Sequence, residues 1–233
     1  MRDLKISTDC VTIDKILEGG ISQESVSLIY GEAETGKTTL AMQCAINCAE
    51  QGYKTLFIDC DGTFSSRRLS QLASEKFEKI AELILLMKPD DFREQTQVID
   101  HLTEYITKNF GLLIIDTITA LYRLRIAEFP KKAFELNREL NRQMALLAQI
   151  AKTQKIAVLT LSQVRGVLNE TYSSTEPVAT RVLKFWADTI IALKPTENPQ
   201  IIKAILEKSP KKLQPSTYYL KIEENGIHEY STR

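Results

Sequence analysis

The nine residues Gly31-Glu32-Ala33-Glu34-Thr35-Gly36-Lys37-Thr38-Thr39 constrain this chain more than any other stretch. An apolar run from Val26 to Tyr30 leads into them, and a helix-like stretch from Thr38 to about Ala49 leads out. The pattern G-x-x-x-x-G-K-T between a strand and a helix reads as a phosphate-binding loop. Its glycines let the backbone wrap closely round a polyphosphate. Successive N–H groups then point inward at the oxygens, and the following helix adds the positive end of its dipole. Lys37 is expected to reach the β- and γ-phosphates and the Thr38 hydroxyl to ligate magnesium. The bland alternative is a glycine-containing turn with a solvated lysine. The complete, correctly flanked motif argues against it.

Acids at the ends of two further apolar runs fit the same chemistry. Thr55-Leu56-Phe57-Ile58-Asp59 reads as a strand and continues into Cys60-Asp61-Gly62-Thr63-Phe64. Carboxylates at the carboxyl end of a central strand are placed to hold a water or a metal near a bound nucleotide. Asp59 and Asp61 alternate, so both point one way if the strand persists. A solvated Asp-Gly turn is an equal reading of the same residues. Leu112-Leu113-Ile114-Ile115-Asp116 is wholly apolar before its acid, as a buried parallel strand is, and it delivers one carboxylate to the magnesium water shell.

The remaining periodicity is that of alternating strands and helices. Ile13, Ile16 and Leu17 predict a short helix stopped by Gly19-Gly20. Ser65-Ser66 caps a helix, Leu83–Met87 is a strand, and a helix covers roughly Asp91–Lys108. Thr117 to about Phe134 reads as a long connection. Leu136, Leu140, Met144, Leu147 and Ala151 mark a clear helix, and Ile156–Gln163 a fifth strand. Val164 to about Arg181 is Ser/Thr-rich and reads as a mobile loop. Short strands follow near Thr189–Leu193, Ile201–Leu206, Thr217–Ile222 and Ile227–Tyr230, with Lys208, Lys211 and Lys212 as solvated lysines at a hairpin tip. The pattern predicts an α/β fold: a central, mainly parallel sheet flanked by helices, with a small antiparallel C-terminal extension.

Composition sets limits on partners. The 233 residues carry 30 Lys+Arg and 30 Asp+Glu, so no global field attracts nucleic acid or an anionic membrane, and any polyanion site must be a local patch. No apolar run approaches the ~20 residues that cross a bilayer, and no signal-peptide core follows Met1, so a cytoplasmic protein without a membrane partner is expected. Cys10, Cys44, Cys48 and Cys60 lack Cys-x-x-Cys spacing. With only two histidines, a zinc site or disulfide framework is not expected. Cys44 and Cys48 share one face of the helix after the loop, as buried apolar residues do.

In order, these motifs resemble the ATPase core of the RecA/RadA recombinase family, most closely its RadB branch of short archaeal RadA paralogues. The resemblance covers nearly the whole chain. It rests on Gly19-Gly20-Ile21, the loop Gly31–Thr39, the stretch Phe57–Phe64, and Ile114-Ile115-Asp116-Thr117-Ile118-Thr119-Ala120. Leu161-Ser162-Gln163-Val164 and the tail Leu220–Ile227 complete the set.

The resemblance implies a RecA-like P-loop NTPase of one core domain over residues 1–233, without the recombinases' N-terminal helical domain or the linker that carries their polymerisation motif. Gly31, Glu32, Ala33, Glu34, Thr35, Gly36, Lys37, Thr38 and Thr39 would cradle ATP, with Arg68 stacked on adenine. Thr38 and Asp116 would hold Mg2+. Asp61 stands where active recombinases carry the glutamate that polarises the attacking water, and Gln163 matches the glutamine that senses the γ-phosphate. With Lys37 these form the implied catalytic set. The loops after Asp116 and Gln163 correspond to the family's two DNA-binding loops, which makes Arg123, Arg125, Lys131, Arg165 and Tyr172 the candidate DNA contacts.

Asp61 is one methylene shorter than glutamate. A carboxylate displaced by roughly 1 Å can cost ~100-fold in rate, so hydrolysis is expected to be slow or absent. The hairpin Glu207–Lys211 lacks the usual basic pair of neighbouring active ATPases. The implied function is an ATP-binding accessory protein of DNA repair and homologous recombination. It would bind single-stranded or recombination-intermediate DNA and assist a RadA-like recombinase or a repair nuclease. A homo-oligomer is compatible with this reading, and long filaments are not expected. The alternative is a RecA-like switch or motor ATPase acting on a protein partner without DNA.

Overall fold

The computed structural model describes the backbone of residues 4–169, 172–177, 179–210 and 215–230, and their side chains except those of 165–177. Strand β1 (Lys5–Ile6) pairs antiparallel with β2 (Ile21–Ser22), and α1 (Val11–Ile16) lies between them in sequence. The turn back to β2 depends on Gly20. Its φ is +118°, and a Cβ there would lie 2.0 Å from the Ile6 carbonyl oxygen. Only glycine allows that approach.

Strand β3 (Val26–Gly31) runs into the phosphate loop, and α2 (Lys37–Glu50) runs out of it. Then come β4 (Lys54–Asp59), α3 (Ser66–Ala73), α4 (Phe77–Ala81), β5 (Ile84–Met87), α5 (Phe92–Asp100) and α6 (Leu102–Tyr105). Strand β6 (Phe110–Asp116) is followed by α7 (Ala120–Glu128), α8 (Ala133–Gln154), β7 (Ala157–Asn169) and β8 (Tyr172–Pro177). The chain closes with α9 (Thr180–Trp186) and β9 (Thr189–Pro195), β10 (Ile201–Lys208), β11 (Ser216–Glu223) and β12 (Gly226–Glu229).

The main sheet runs β12–β11–β10–β9–β3–β7–β6–β4–β5. Pairings from β9 through β3 to β5 are parallel, and those from β9 to β12 are antiparallel. Successive residues of β6 alternate between two cores. Leu112 and Ile114 pack toward α2, while Leu113 and Ile115 pack toward α5 and α8. Helices cover both faces, so the strand is apolar throughout. With β4 and β7 beside it, the sheet sends Asp59, Asp116 and Gln163 to one edge, next to the loop that leaves β3.

Four sequence readings change. The connection after Asp116 contains the helix α7. Its apolar residues do not form one stripe, because Leu124 is 63% exposed while Leu121 and Tyr122 are buried. The stretch read as a mobile loop after Gln163 is largely strand: β7 continues to Asn169 and pairs with β8 from Val164↔Pro177 to Asn169↔Tyr172. A two-stranded ribbon needs backbone pairing and strand-forming Val, Thr and Tyr, not an apolar period. The helix expected over Asp91–Lys108 breaks at His101 into α5 and α6. At the hairpin tip Lys208 is not simply solvated, since its Nζ donates to the Ala187 carbonyl at 2.5 Å, while Lys211 and Lys212 lie outside the described residues.

Candidate nucleotide site

Gly36 sits at the N-terminus of α2 with φ +79°, a left-handed conformation that glycine adopts without cost. No side chain caps this helix, and its first turn carries no acid. The exposed N–H groups and the dipole thus meet no competing negative charge, which suits an anion. Glu34 holds φ +62° at the crown of the loop. Lys37 is buried, and its Nζ donates to the carbonyls of Gly31 at 3.1 Å and Glu32 at 2.6 Å. Burial lowers its pKa, opposed by the charges of Asp116, Asp61 and Glu32. An open pocket of about 270 Å3 lies over the loop, lined by Glu34, Gly36, Lys37, Thr38, Thr39 and Ile222.

Beneath the loop, Thr38 Oγ1 donates to Asp116 Oδ2 at 2.6 Å. Burial pushes the Asp116 carboxyl up to about 7. The Thr38 hydrogen bond pulls it back, Asp61 and Asp59 add to the rise, and Lys37 opposes it. A hydroxyl and a carboxylate side by side form a hard-oxygen pair of the kind magnesium takes through one or two protein ligands and its own waters. The donors therefore fit a magnesium-bound polyphosphate: amides and a cation for its oxygens, Thr38 and Asp116 for the metal.

The two alternating acids at the end of β4 and just beyond it take different jobs. Asp59 is buried and accepts from the backbone N–H groups of Thr63 at 3.0 Å and Phe64 at 3.1 Å, with Lys88 Nζ 3.5 Å away. It closes the turn. Asp61 instead faces the site, accepting from Thr117 Oγ1 at 3.2 and 3.3 Å and from Gln163 Nε2 at 3.2 Å. Burial raises its pKa, and those two hydrogen bonds work against the rise. Asp61, Gln163, Thr117, Asp116, Thr38 and Lys37 thus converge at the carboxyl ends of adjacent strands, where α/β sheets bind ligands.

Arg68 points at the C-terminal hairpin. Its Nη1 donates to the Glu224 carbonyl at 2.6 Å and its Nη2 to that of Glu223 at 3.0 Å. In-plane bonds of this kind leave a guanidinium face available for stacking. The same hairpin reaches the phosphate loop through Ile227, and a Cβ on Gly36 would lie 2.4 Å from Ile227 Cδ1. Gln43 of α2 locks the hairpin in place. Its Oε1 accepts from Ile227 N–H at 2.8 Å, and its Nε2 donates to the Ile227 carbonyl at 3.1 Å. Sequence reasoning missed Gln43. The available signal is a polar residue between Leu40 and Cys44 on a buried helical face.

The candidate DNA contacts divide. Arg123 is exposed on α7 and donates to Gln163 Oε1 at 2.7 Å, so it joins the Asp61–Gln163 group. Arg125 pairs with Glu128 at 3.0 Å and lies 4.1 Å over the Phe129 ring, where Lys132 also sits at 5.7 Å. Lys131 is exposed in the turn between α7 and α8. The side chains of Arg165 and Tyr172 lie outside the described residues. Among the described residues no three His, Cys, Asp or Glu side chains group so as to hold a metal ion, and no helix is long and apolar enough to cross a membrane.

Comparison with known proteins gives one consistent answer. The Rad51 family model matches residues 2–230. The DNA repair and recombination protein RadB of Thermococcus gammatolerans is 36% identical over 229 residues, covering 97% of this chain and 99% of that protein. The RadB protein of Methanocaldococcus jannaschii is 33% identical over 196 residues, covering 84% of this chain and 89% of its own length. A crystal structure of the RadB recombinase superposes with a TM-score of 0.83 at 32% identity, over 97% of this chain and 100% of that one.

Proposed function

The chain belongs to the Rad51 family and, within it, to the RadB proteins of DNA repair and recombination; from that premise we propose that it is a nucleotide-gated accessory factor that binds ATP with magnesium, hydrolyses it slowly, and contacts DNA beside the nucleotide. The observation that carries this reading is the placement of Asp61. It faces the site at the carboxyl ends of the strands, and both its oxygens are already engaged by Thr117 and Gln163.

Each residue has a role that follows from its place. The loop amides and Lys37 bind the phosphate oxygens. Thr38 and Asp116 hold the metal, and Arg68 offers its face to the base. A magnesium nucleotide bound there supplies the phosphoanhydride bond and the positive charge that offsets its oxygens. Asp61 would orient a water and take its proton. Its side chain is short, and the two hydrogen bonds tie it back toward Thr117 and Gln163. A carboxylate misplaced by about 1 Å accounts for roughly 100-fold in rate. Arg123, Arg125 and Lys131 cluster on and after α7 with Phe129. Cations beside an exposed ring suit single-stranded DNA, which is held by phosphate contacts and stacking. Assistance to a RadA-like recombinase or a repair nuclease follows from the family's role in recombination.

The test is ATP binding and turnover, with and without single-stranded DNA, on wild type and Asp61→Glu. Tight binding with slow turnover is expected in wild type, and glutamate is expected to raise turnover by about tenfold or more. Rapid wild-type turnover, indifferent to DNA and lowered by the substitution, would instead support a switch ATPase that acts on a protein partner.

A further inference from the structure

Thr117 is the first residue beyond β6, and it is almost wholly buried. Its Oγ1 lies 3.3 Å from Asp61 Oδ1 and 3.2 Å from Asp61 Oδ2. A hydroxyl nearly equidistant from both carboxylate oxygens lies across the open end of the group. That is the position from which a water would donate to the same two oxygens. Gln163 Nε2 takes one further place on Oδ2, at 3.2 Å. Burial raises the Asp61 pKa, and the Thr117 hydrogen bond leads the influences that hold it down. The hydroxyl therefore covers the front of the carboxylate and, by favouring its charged form, weakens it as a base.

Thr117 is fixed from behind. The next residue, Ile118, is held on both sides. Its N–H donates to the Leu161 carbonyl at 3.0 Å, and its own carbonyl accepts from Gln95 Nε2 at 3.1 Å. Gln95, on α5, is wholly buried. The same Nε2 also donates to Oε1 of Gln143, on α8, at 2.8 Å, which accounts for both its N–H groups. Gln143 is wholly buried too, and its Nε2 donates to Thr96 Oγ1 at 2.8 Å. Gln95 Oε1 has no partner among the described residues, so the direction of this amide is set by what Nε2 binds. Paired buried amides of this kind rigidify the backbone they hold. One residue further on, Thr119 Oγ1 and Ser162 Oγ are 3.1 Å apart, which ties the same short segment to β7.

We propose that Thr117 is a brake on hydrolysis: its hydroxyl occupies the place on Asp61 that the attacking water needs, and Gln95 holds it there through Ile118. The proposal rests on the site being one for a magnesium nucleotide with Asp61 as its base, as read above, and it adds the groups that keep that base idle. In hydrolysis the water oxygen bonds to the terminal phosphorus. The bond from that phosphorus to the bridging oxygen breaks with its electron pair left on ADP, and Asp61 takes the proton that the water gives up. A water can donate to Asp61 from the front only after the Thr117 hydroxyl has moved aside. Thr117 and Gln95 are thus positioning residues, the first acting on the base and the second acting on the first.

The experiment is ATP turnover and magnesium-ADP affinity of the full chain. The proteins compared are wild type, Thr117→Val, Thr117→Ser, Gln95→Met, Thr117→Val with Gln95→Met, and Thr117→Val with Asp61→Ala. Valine keeps the shape of threonine and removes the donor. Thr117→Val is expected to raise kcat about tenfold, part of the roughly 100-fold that a misplaced group can cost, with KM and ADP affinity little changed. Thr117→Ser restores a donor and is expected to return most of the way toward wild type. Gln95→Met is expected to raise kcat as well, and the double variant to gain less than the product of the two, because both act through one hydroxyl. The gain is expected to vanish with Asp61→Ala. An unchanged or lower kcat in Thr117→Val overturns the proposal and leaves the reading of the site standing. A gain that survives Asp61→Ala, or a Thr117→Ser as fast as Thr117→Val, also overturns it. Fully multiplying effects of Thr117→Val and Gln95→Met overturn the part given to Gln95. Failure of wild type to bind a magnesium nucleotide at all brings down the reading of the site itself.

Discussion

Asp116 is almost wholly buried beside two other acids, and its proton is held to about pH 7. The folded carboxyl is therefore easier to protonate than the same group in the unfolded chain. Below the unfolded pKa both states are protonated and the group costs nothing. As pH rises through the folded pKa, the buried site must carry a charge and stability is lost. Nucleotide-free wild type is thus expected to lose melting temperature relative to Asp116→Asn as pH rises from 5 to 8. Parallel melting curves across that range would refute the assignment. Magnesium-dependent nucleotide binding should move the opposite way, strengthening with pH as the carboxylate forms. The neighbouring pair shows how little spacing alone decides. Asp59 and Asp61 look interchangeable in sequence, and their spacing weighs site and turn equally. In the structure Asp59 makes the turn and Asp61 bonds Thr117 and Gln163. The division is made by the chain bending back at Thr63 and Phe64, whose N–H groups take both Asp59 oxygens and leave Asp61 to face Gln163.

Among elements, the legible ones are those with a single dominant burial pattern. Strand β6 is apolar on both faces because both are covered, and α8 carries Leu140, Met144, Leu147 and Ala151 on one buried stripe. Helix α7 was illegible because arginines and an exposed leucine interrupt its stripe. The β7–β8 ribbon was illegible because its pairing is backbone to backbone, which side-chain identity hardly records. The phosphate loop was the most legible element, yet the motif omits half its support. Its glycine at position 36 is needed for backbone conformation and also for the space that Ile227 fills. Gly36→Ala is expected to destabilise the fold by about 1–3 kcal/mol and to weaken nucleotide binding, since strain and overpacking act together. Ile227→Ala truncates a buried core residue and costs stability itself, but its cost should be smaller on Gly36→Ala than on wild type. A denaturant series on the two single variants and the double variant checks this, and strict additivity would show that the two residues do not share the contact.

For the whole molecule, zero net charge means that DNA is not gathered from a distance. The proposed DNA contact would rest on a few local cations, of which Arg125 is partly neutralised by Glu128. Each phosphate neutralised on a single strand contributes about −0.7 to the slope of log affinity against log salt, so three cations predict a slope of about −2. Titrations between ~50 and 200 mM salt should show affinity falling by about 16-fold, and a flat response would remove these residues from the interface. The packing of Ile227 on Gly36 also bears on biosynthesis. The loop motif is complete once residue 39 has been made, but the wall against it arrives with β12, about 190 residues later. A nascent chain therefore carries the recognisable signature long before it carries a finished pocket. On the proposed reading of the site, nucleotide capture would be a late event, one that marks a polypeptide whose far end has already been translated and packed against the loop.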